Sequence, residues 1–196
     1  MTNQSGSQRV EILSKEELAR TLTRLSSQIL ESISHSKDLL LLGIPTRGVQ
    51  LAEVLARELM EKTGHKIEQG IIDPTFYRDD LTRLRTKMAP PTSLPSSLDG
   101  RKVLLIDDVI FTGRTVRAAI ESLQAWGRPQ KVMLLVMVDR SGHRELPIQP
   151  DFYGRQVPTR RTETIELRLN QIDGEEGVYL GTVSYTHLTL PTICSV

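Results

Sequence analysis

The stretch VLLIDDVIFTGRT, residues 103–115, sets an apolar run directly before two acids and a glycine-containing turn. The four aliphatic residues at 103–106 favour a strand that is buried on both faces. Asp107 and Asp108 repel each other at the end of that strand, so we expect a group from outside the chain to hold them together. Because an apolar helix pattern follows the turn, the stretch predicts one strand-to-helix unit of an α/β sheet.

The composition is that of an ordinary globular domain. The 196 residues are 38% hydrophobic and 25% charged, with a net charge of +1, and a chain of this size buries a substantial core. The near-zero charge argues against a polycationic nucleic-acid coat but allows a local basic patch. The single cysteine, Cys194, excludes an intrachain disulfide framework. Since no signal-peptide core or transmembrane run is present, we expect a soluble, cytoplasmic protein.

Strand and helix patterns alternate along most of the chain. Apolar runs predict strands at residues 9–13, 38–44, 68–76, 102–107, 131–138, 164–169 and 177–180. Apolar residues at helical spacing predict helices after Ser14, which forms a capping box with Glu17, after residue 48 and after residue 115. This order predicts an α/β fold, with a mostly parallel sheet flanked by helices. Ligands bind such sheets at the carboxyl ends of strands, where residues 45–48 and 107–115 both fall.

The turn at residues 112–115 has the features of an anion site. Its N–H groups lie between a strand and a helix, where free donors and the helix dipole favour a phosphate. Gly113 allows close approach, and Thr112 and Thr115 add hydroxyl donors. A plain turn with threonine as the helix cap is the alternative. The spacing matches neither a dinucleotide site nor a P-loop.

Asp107 and Asp108 add a second function to the same loop. Two carboxylates at a strand end can accept hydrogen bonds from a vicinal diol, or hold Mg²⁺ directly or through water or substrate. A pair of solvent-facing caps is the alternative. A diol site only a few residues from a phosphate site fits a single ligand, a ribose 5-phosphate.

The same stretch resembles the phosphoribosyl-diphosphate motif of the type I phosphoribosyltransferases, in which an acidic pair and apolar residues precede T-G-x-T. The resemblance implies that family's fold, with a small hood and a flexible flap loop beside the parallel sheet. It implies that Asp107 and Asp108 are catalytic, hold the ribose hydroxyls and bind Mg²⁺. It assigns the ribose 5-phosphate to Asp107, Asp108, Val109, Thr112, Gly113, Arg114 and Thr115.

Two further segments resemble loops of that family. GIPTRG, residues 43–48, resembles the pyrophosphate loop, which implies roles for Pro45, Thr46, Arg47 and Gly48, with Arg47 as the catalytic charge. Residues 77–100 correspond to the flap, whose first residues are Tyr77, Arg78, Asp79 and Asp80. A lid suits this chemistry, because water would trap an oxocarbenium-like sugar. Solvated loop charges are the alternative for the flap residues.

The segment DRSGHRELPIQPDFYGRQVPT, residues 139–159, resembles the base-selecting hood of the pyrimidine-operon attenuation proteins, which are uracil phosphoribosyltransferases. TRGVQLA, DPTFYRDDL and VLLIDDVIFTGRTVRAAIESL resemble the same family, so the resemblance spans residues 9–180. The implied reaction converts uracil and 5-phosphoribosyl 1-diphosphate to UMP and diphosphate, with Mg²⁺. Uracil is expected near residues 138–140 and 148–152, with Val138, Asp139 and Arg140 in the hood.

The resemblance also implies a regulator of transcription attenuation. Members bind an mRNA leader hairpin, in response to UMP or UTP, through a basic face of a homodimer or higher homo-oligomer. The expected RNA contacts are Thr23, Arg24, His143, Arg144 and Arg160, with Arg155 and Arg161 nearby. The first helix continues SSQILESIS, where members commonly carry histidine and further basic residues. For the basic residues, the alternatives are a solvated charged rim or an acid-base network around the hood. For the protein as a whole, they are a regulator whose catalysis is incidental, or a transferase for another base such as hypoxanthine or orotate.

We expect one phosphoribosyltransferase domain over residues 1–181, with the flap at about 77–100 and a hood formed by about 139–163 and the N-terminal strand. The tail at residues 182–196, TVSYTHLTLPTICSV, fits neither the family nor a clear structural element. We therefore expect it to be an extension foreign to the family and assign no role to His187 or Cys194. Mass spectrometry of protein from its native source would contradict this if the tail were present.

Overall fold

The computed structural model describes residues 9–33, 36–78 and 91–182. The helices in these ranges are Lys15–Ser32 (α1), Arg47–Thr63 (α2), Arg114–Gln124 (α3) and Asn170–Asp173 (α4). The strands are Arg9–Leu13 (β1), Leu39–Gly43 (β2), Glu68–Ile71 (β3), Lys102–Ile110 (β4), Lys131–Ser141 (β5), Phe152–Pro158 (β6), Glu163–Arg168 (β7) and Gly177–Thr182 (β8). No helix in the described ranges is both long enough and apolar enough to span a membrane.

Two sheets organise these elements. Five parallel strands form the main sheet, in the order β3-β2-β4-β5-β6. A smaller antiparallel sheet has the order β1-β8-β7, so the first described strand pairs with the last. The predicted α/β fold, with a mostly parallel sheet flanked by helices, is confirmed.

The central strands are apolar throughout because both faces of the main sheet are covered. In β2, Leu39 and Leu41 pack in the core cluster of α1 and α2, whereas Leu40 and Leu42 pack in the cluster that includes α3. This division follows the two-residue period of a strand. Burial on both faces explains why β2, β4 and β5 read as continuous apolar runs.

The start of α1 follows the predicted capping box. The Ser14 hydroxyl accepts a hydrogen bond from the Glu17 N–H over 3.3 Å, and the Glu17 carboxylate accepts one from the Ser14 N–H over 2.9 Å. Leu18, Leu25 and Ile29 then lie buried along one face. The helix thereby gains two satisfied backbone donors and an apolar stripe at helical spacing.

Two predictions about strands are wrong. The third strand was expected to reach residue 76, but β3 ends at Ile71 and a 3₁₀ turn occupies Thr75–Tyr77. Pro74 precedes that turn and lacks the N–H that a strand ladder requires. No strand was predicted between residues 138 and 164, but β5 continues to Ser141, and β6 adds a fifth strand parallel to it. The carboxyl end of β5 is therefore an ordered wall beside the ligand loops.

Candidate active site

The two predicted ligand loops meet at one edge of the main sheet. Gly43, at the end of β2, is the register partner of Ile106 in β4. The Ile44 N–H donates to the Ile106 carbonyl over 2.9 Å. Gly48 packs so closely on the same carbonyl that an added Cβ would lie 2.2 Å from its oxygen. The loop of residues 45–48 therefore lies directly beside Asp107, as a shared site requires.

The acidic pair lies at this edge, where Asp107 is buried and Asp108 is half-buried. Asp107 is 7% exposed, and burial, followed by the charge of Asp108, raises the pKa of Asp107 well above its ordinary value. Burial also raises the pKa of Asp108. Their carboxylates accept local N–H groups, Asp107 Oδ1 from Asp108 over 3.0 Å and Asp108 Oδ1 from Val109 over 2.8 Å. Two buried like charges need positive charge or further donors to be ionised together.

The pair fits a Mg²⁺ ion that is shared with a substrate. In the described part of the chain, no group of three or more His, Cys, Asp or Glu side chains is arranged to hold a metal. Mg²⁺ is commonly bound by one or two carboxylates together with substrate phosphates and water. Asp107 and Asp108 would supply the protein oxygens. When bound, the ion would neutralise charge on a leaving diphosphate.

A cavity of about 370 Å³ opens where β4 turns into α3. Gly113, with φ of +92°, makes the turn in a left-handed conformation that suits glycine. Thr112 Oγ1 accepts the Arg114 N–H over 3.4 Å. The cavity walls bring together most residues predicted to bind the ribose 5-phosphate: Asp107, Val109, Thr112, Gly113, Arg114 and Thr115.

The flap contributes Arg78 to the same cavity. Arg78 Nη1 donates to Thr115 Oγ1 over 2.8 Å, and its charge opposes the raised pKa of Asp107. The Tyr77 carbonyl accepts a hydrogen bond from Arg117 Nη2 over 3.1 Å, which ties the start of the flap to α3. The other predicted flap residues, Asp79 and Asp80, lie outside the described residues.

Arg47 starts α2, after a cis peptide bond between Pro45 and Thr46. Its guanidinium forms a two-point contact with Asp173 of α4, with Nη1 2.7 Å from Oδ2 and Nη2 2.8 Å from Oδ1. Its positive charge also acts on Asp108, where it opposes the raised pKa. The predicted catalytic arginine thus links the acidic pair to the segment after β7.

The carboxyl end of β5 carries the predicted hood residues, and all three are buried. Val138 is fully buried, and Asp139 and Arg140 are 3% and 7% exposed. The Arg140 guanidinium carbon lies 4.0 Å from the centre of the Phe111 ring, and burial lowers the pKa of Arg140. Its nitrogens donate over 2.8–3.0 Å to the Thr159 hydroxyl and to the carbonyls of Arg160 and Glu163. Arg140 therefore connects the loop between β4 and α3 to the residues that follow β6.

Arg144 connects the predicted hood segment to the loop between β4 and α3. Its guanidinium donates to the Asp139 carboxylate, to the Phe111 carbonyl and, over 2.9 Å, to the Ile148 carbonyl. The Arg144 side chain is only 14% exposed. This placement differs from the predicted surface contact with RNA, because the charge is directed at a buried carboxylate and two loop carbonyls. Arg144 therefore makes charge-assisted hydrogen bonds within the protein.

The remaining residues predicted to contact RNA fall in three places. His143 lies in the hood, with its ring 4.9 Å from Phe111 and its Nε2 2.6 Å from the Thr159 carbonyl. Thr23 and Arg24 lie on α1, where Arg24 Nη2 donates to the Gly154 carbonyl of β6 over 2.7 Å. A second cavity of about 340 Å³ lies between α1 and β6, and its walls include Arg20, Arg24 and Arg155. The structure therefore brings Arg24 and Arg155 together, and Arg160 is an exposed residue just after β6.

Sequence reasoning missed three residues of the site. Glu145 lines the main cavity, pairs with Arg114 over 3.0 Å, and donates its N–H to the Thr112 carbonyl. Phe111 supports the Arg140 guanidinium. Asp173 is 126 positions from Arg47, and no local pattern connects the two. The sequence signal for Glu145 was its position in a charged segment, directly after Arg144. That position does not identify Arg114 as its partner.

Comparison with known proteins agrees with this geometry. The phosphoribosyl transferase domain family matches residues 8–167. The Bifunctional protein PyrR of Microcystis aeruginosa is 49% identical over 173 residues, which cover 88% of this chain and 97% of that protein. The PyrR of Gloeothece citriformis is 51% identical over 173 residues, covering 87% and 96%.

Solved structures share the fold at low identity. A hypoxanthine phosphoribosyltransferase from Staphylococcus aureus superposes with a TM-score of 0.62 at 19% identity, covering 88% of this chain and 91% of that one. The corresponding enzyme of Trypanosoma cruzi gives 0.67 at 15% identity, covering 88% and 95%. At these identities the likeness concerns the fold alone. The relatives at about half identity over nearly their whole length, together with the matching domain, show that the chain belongs to the PyrR family of phosphoribosyltransferase-domain proteins.

Proposed function

We propose that this protein is a uracil phosphoribosyltransferase that converts uracil and 5-phosphoribosyl 1-diphosphate to UMP and diphosphate. The observation that carries the proposal is the cavity of about 370 Å³ that the acidic loop, the T-G-R-T turn and Arg78 share. These groups match a ligand with a diol at one end and a phosphate at the other. Membership of the PyrR family supports the choice of uracil over other bases.

Each part of the sugar substrate has a partner in this arrangement. Asp107 and Asp108 accept hydrogen bonds from the ribose hydroxyls, and the N–H groups and hydroxyls of residues 112–115 hold the 5-phosphate at the start of α3. Arg47 faces the diphosphate. The bond from ribose C1 to the diphosphate oxygen breaks while a bond from C1 to uracil N1 forms, and N1 loses its proton. Fixed donors at the leaving group provide electrostatic stabilisation, so no covalent nucleophile is required.

The base is selected at the carboxyl end of β5. The side chains of Asp139 and Arg140 already have partners within the hood, Arg144 for the first and Thr159 with two carbonyls for the second. They shape the wall of the base site, and backbone groups of the adjoining loop read the uracil edge. Phe152, in contrast, pairs with Leu135 in the middle of β5, away from its carboxyl end. Ile148 lies beside Gly113. Of the base contacts expected at residues 148–152, we therefore propose only those near Ile148.

The test is an assay of UMP formation from uracil and 5-phosphoribosyl 1-diphosphate in the presence of Mg²⁺. The wild-type protein is expected to be active, and the double variant Asp107→Asn/Asp108→Asn is expected to lose activity because it has no carboxylate for the diol or the ion. Hypoxanthine and orotate are assayed beside uracil. Faster turnover of either base, or full activity of the double variant, would refute the proposal.

A second activity, binding of an mRNA leader hairpin, is favoured by the groove between α1 and β6. Arg20, Arg24 and Arg155 line it, and clustered arginines supply the phosphate contacts on which RNA affinity depends. Arg160 extends the same basic surface in this proposal. Both activities act on nucleotides and transcripts, so the proposed location is the cytoplasm.

The RNA proposal is tested by gel shift with a pyrimidine-operon leader hairpin, with and without UMP. Replacing Arg24 and Arg155 by alanine is expected to weaken binding and to lower its salt dependence by about one unit per lost phosphate contact. Arg128→Ala is the matched control, because Arg128 is exposed and lies outside the groove. Equal loss in the control, or no binding by the wild type, would contradict this second function.

A further inference from the structure

The carboxylate of Asp173 fixes the orientation of Arg47. The two contacts of 2.7 and 2.8 Å define the plane of the guanidinium as well as its position. The two side chains are 23% and 13% exposed, so water competes little for either charge. A single-point contact would allow the guanidinium to rotate, and this geometry does not.

Asp173 is itself held by the backbone. Its Oδ2 accepts the Leu169 N–H over 2.9 Å, and its own N–H donates to the Leu169 carbonyl over 3.0 Å. These bonds close the short helix α4, which connects β7 to β8 of the smaller sheet. The first residue of α2 is thereby attached to the second sheet through one ion pair.

The pair leaves Arg47 able to bind an anion. Arginine has five N–H donors in a planar fork, and Asp173 engages one from each terminal nitrogen. The charge of Arg47 still reaches the active site, since it acts on Asp108. An arginine that is already ordered loses less side-chain entropy when a ligand binds than a mobile one does.

We propose that Asp173 is a positioning residue, which holds Arg47 in the orientation that binds the diphosphate group of the sugar substrate. The proposal rests on the proposed function, because it deepens the role of the same site. Asp173 acts through Arg47 and does not touch the substrate. If Asp173 instead competed with diphosphate for Arg47, its removal would tighten diphosphate binding, so the sign of the effect separates the two cases.

The experiment measures calorimetric binding of inorganic diphosphate with Mg²⁺, and steady-state kinetics, on the full-length protein. Asp173→Ala is expected to weaken diphosphate binding and raise the KM for 5-phosphoribosyl 1-diphosphate, each by about ten-fold, through lost pre-organisation. The KM for uracil should change by less than about two-fold. Asp173→Asn should lose less diphosphate affinity than Asp173→Ala, because asparagine keeps one hydrogen-bond acceptor for Arg47. Asp173→Glu should recover part of the affinity that Asp173→Ala loses.

A double-mutant cycle tests whether the effect passes through Arg47. In an Arg47→Ala background, Asp173→Ala is expected to change diphosphate affinity no further. Glu166→Gln is the matched control, because Glu166 pairs with Arg168 over 3.2 Å in the same small sheet and should leave diphosphate binding unchanged. A general structural role of Asp173 would instead alter the KM for uracil as well.

Three results would overturn the proposal: unchanged affinity, tighter binding of diphosphate, or a full further loss in the Arg47→Ala background. If Asp173→Ala fails to fold, Asp173→Asn and the same binding measurement decide the matter. If the wild type binds diphosphate but forms no UMP, the proposed function is wrong. The diphosphate affinities of the Asp173 variants still test whether Asp173 positions Arg47.

Discussion

Replacement of Asp107 by asparagine is expected to stabilise the ligand-free protein while it removes activity. Burial and the neighbouring charge of Asp108 raise the pKa of Asp107 in the folded state. A carboxyl group with a raised folded-state pKa favours folding while it is protonated, below its unfolded pKa. That contribution is lost as pH rises through the folded pKa. At neutral pH, which lies above the ordinary pKa of the group, the wild type therefore bears a free-energy cost for the buried carboxyl group that the asparagine variant does not bear.

The expected change in Tm follows from the hydrogen-bond acceptor that asparagine keeps and the ionisable group that it removes. Its Oδ1 can still accept the Asp108 N–H, which lies 3.0 Å from Asp107 Oδ1. A buried polar or charged group without adequate partners costs about 1–3 kcal/mol. For a chain of this length, about 1 kcal/mol corresponds to roughly 3 °C in Tm. We expect Asp107→Asn to raise Tm by about 3–9 °C near pH 8, with the difference vanishing near pH 4, where the wild-type carboxyl group is protonated.

Thermal unfolding followed by circular dichroism, in buffer with a chelator and no substrate, measures the effect. Asp99→Asn is the matched control with the opposite sign. Asp99 is exposed, and its carboxylate accepts a hydrogen bond from the Arg128 N–H over 2.7 Å. This bond is the main reason that the pKa of Asp99 is lowered. Replacement of Asp99 should therefore lower Tm. The reasoning is refuted if Asp107→Asn melts at or below the wild type near pH 8, or if its advantage persists at low pH.

Three further outcomes are expected. Gly48→Ala should abolish UMP formation and lower Tm, since its Cβ would lie 2.2 Å from the Ile106 carbonyl oxygen; an active, stable variant would contradict this packing. Arg144→Met should lower the free energy of unfolding by about 3–5 kcal/mol in urea denaturation, because it leaves the Asp139 carboxylate buried without its cation. A loss below about 1 kcal/mol would argue against the ion pair. Chelation of Mg²⁺ should abolish UMP formation and its return should restore it, whereas a chelator-resistant rate would exclude a metal role for the acidic pair.

The main sheet and its ligand loops were predictable because their signals are local. The apolar runs of β2 and β4 each end in a turn with glycine, and parallel strands place their carboxyl ends at one edge. Residues 45–48 and 107–115 were therefore expected to meet, and the contact of Gly48 with the Ile106 carbonyl brings them together. The strand boundaries depended on less local factors. The strand β3 stops before Pro74. The strand β5 continues through Asp139 and Arg140, since both side chains find hydrogen-bond partners across the fold.

The strand β6 was missed because an edge strand carries a weak signal. Phe152–Pro158 alternates between half-buried and exposed residues, and its Gly154 and Arg155 are not typical of strands. Its pairing with β5, rather than its own propensity, makes it a strand. Gly154 has a packing reason that no sequence pattern shows: an added Cβ would lie 2.5 Å from the Met137 carbonyl oxygen.

The roles of the arginines were the hardest to predict. The role of an arginine side chain depends on which group accepts its hydrogen bonds, and that group can be distant in sequence. Arg140 and Arg144 lie in a charged segment that is equally typical of a solvated RNA-binding surface. Arg144 nevertheless donates to the buried Asp139 carboxylate, and Arg140 donates to the Thr159 hydroxyl and two carbonyls. Arg24 and Arg155, 131 positions apart by their numbers, meet instead at the groove between α1 and β6. Arg140 and Arg144 therefore bond within the protein, beside the proposed nucleotide site. The hypothesis of RNA binding depends on the separate groove, where substitutions can be made without disturbing the acidic pair.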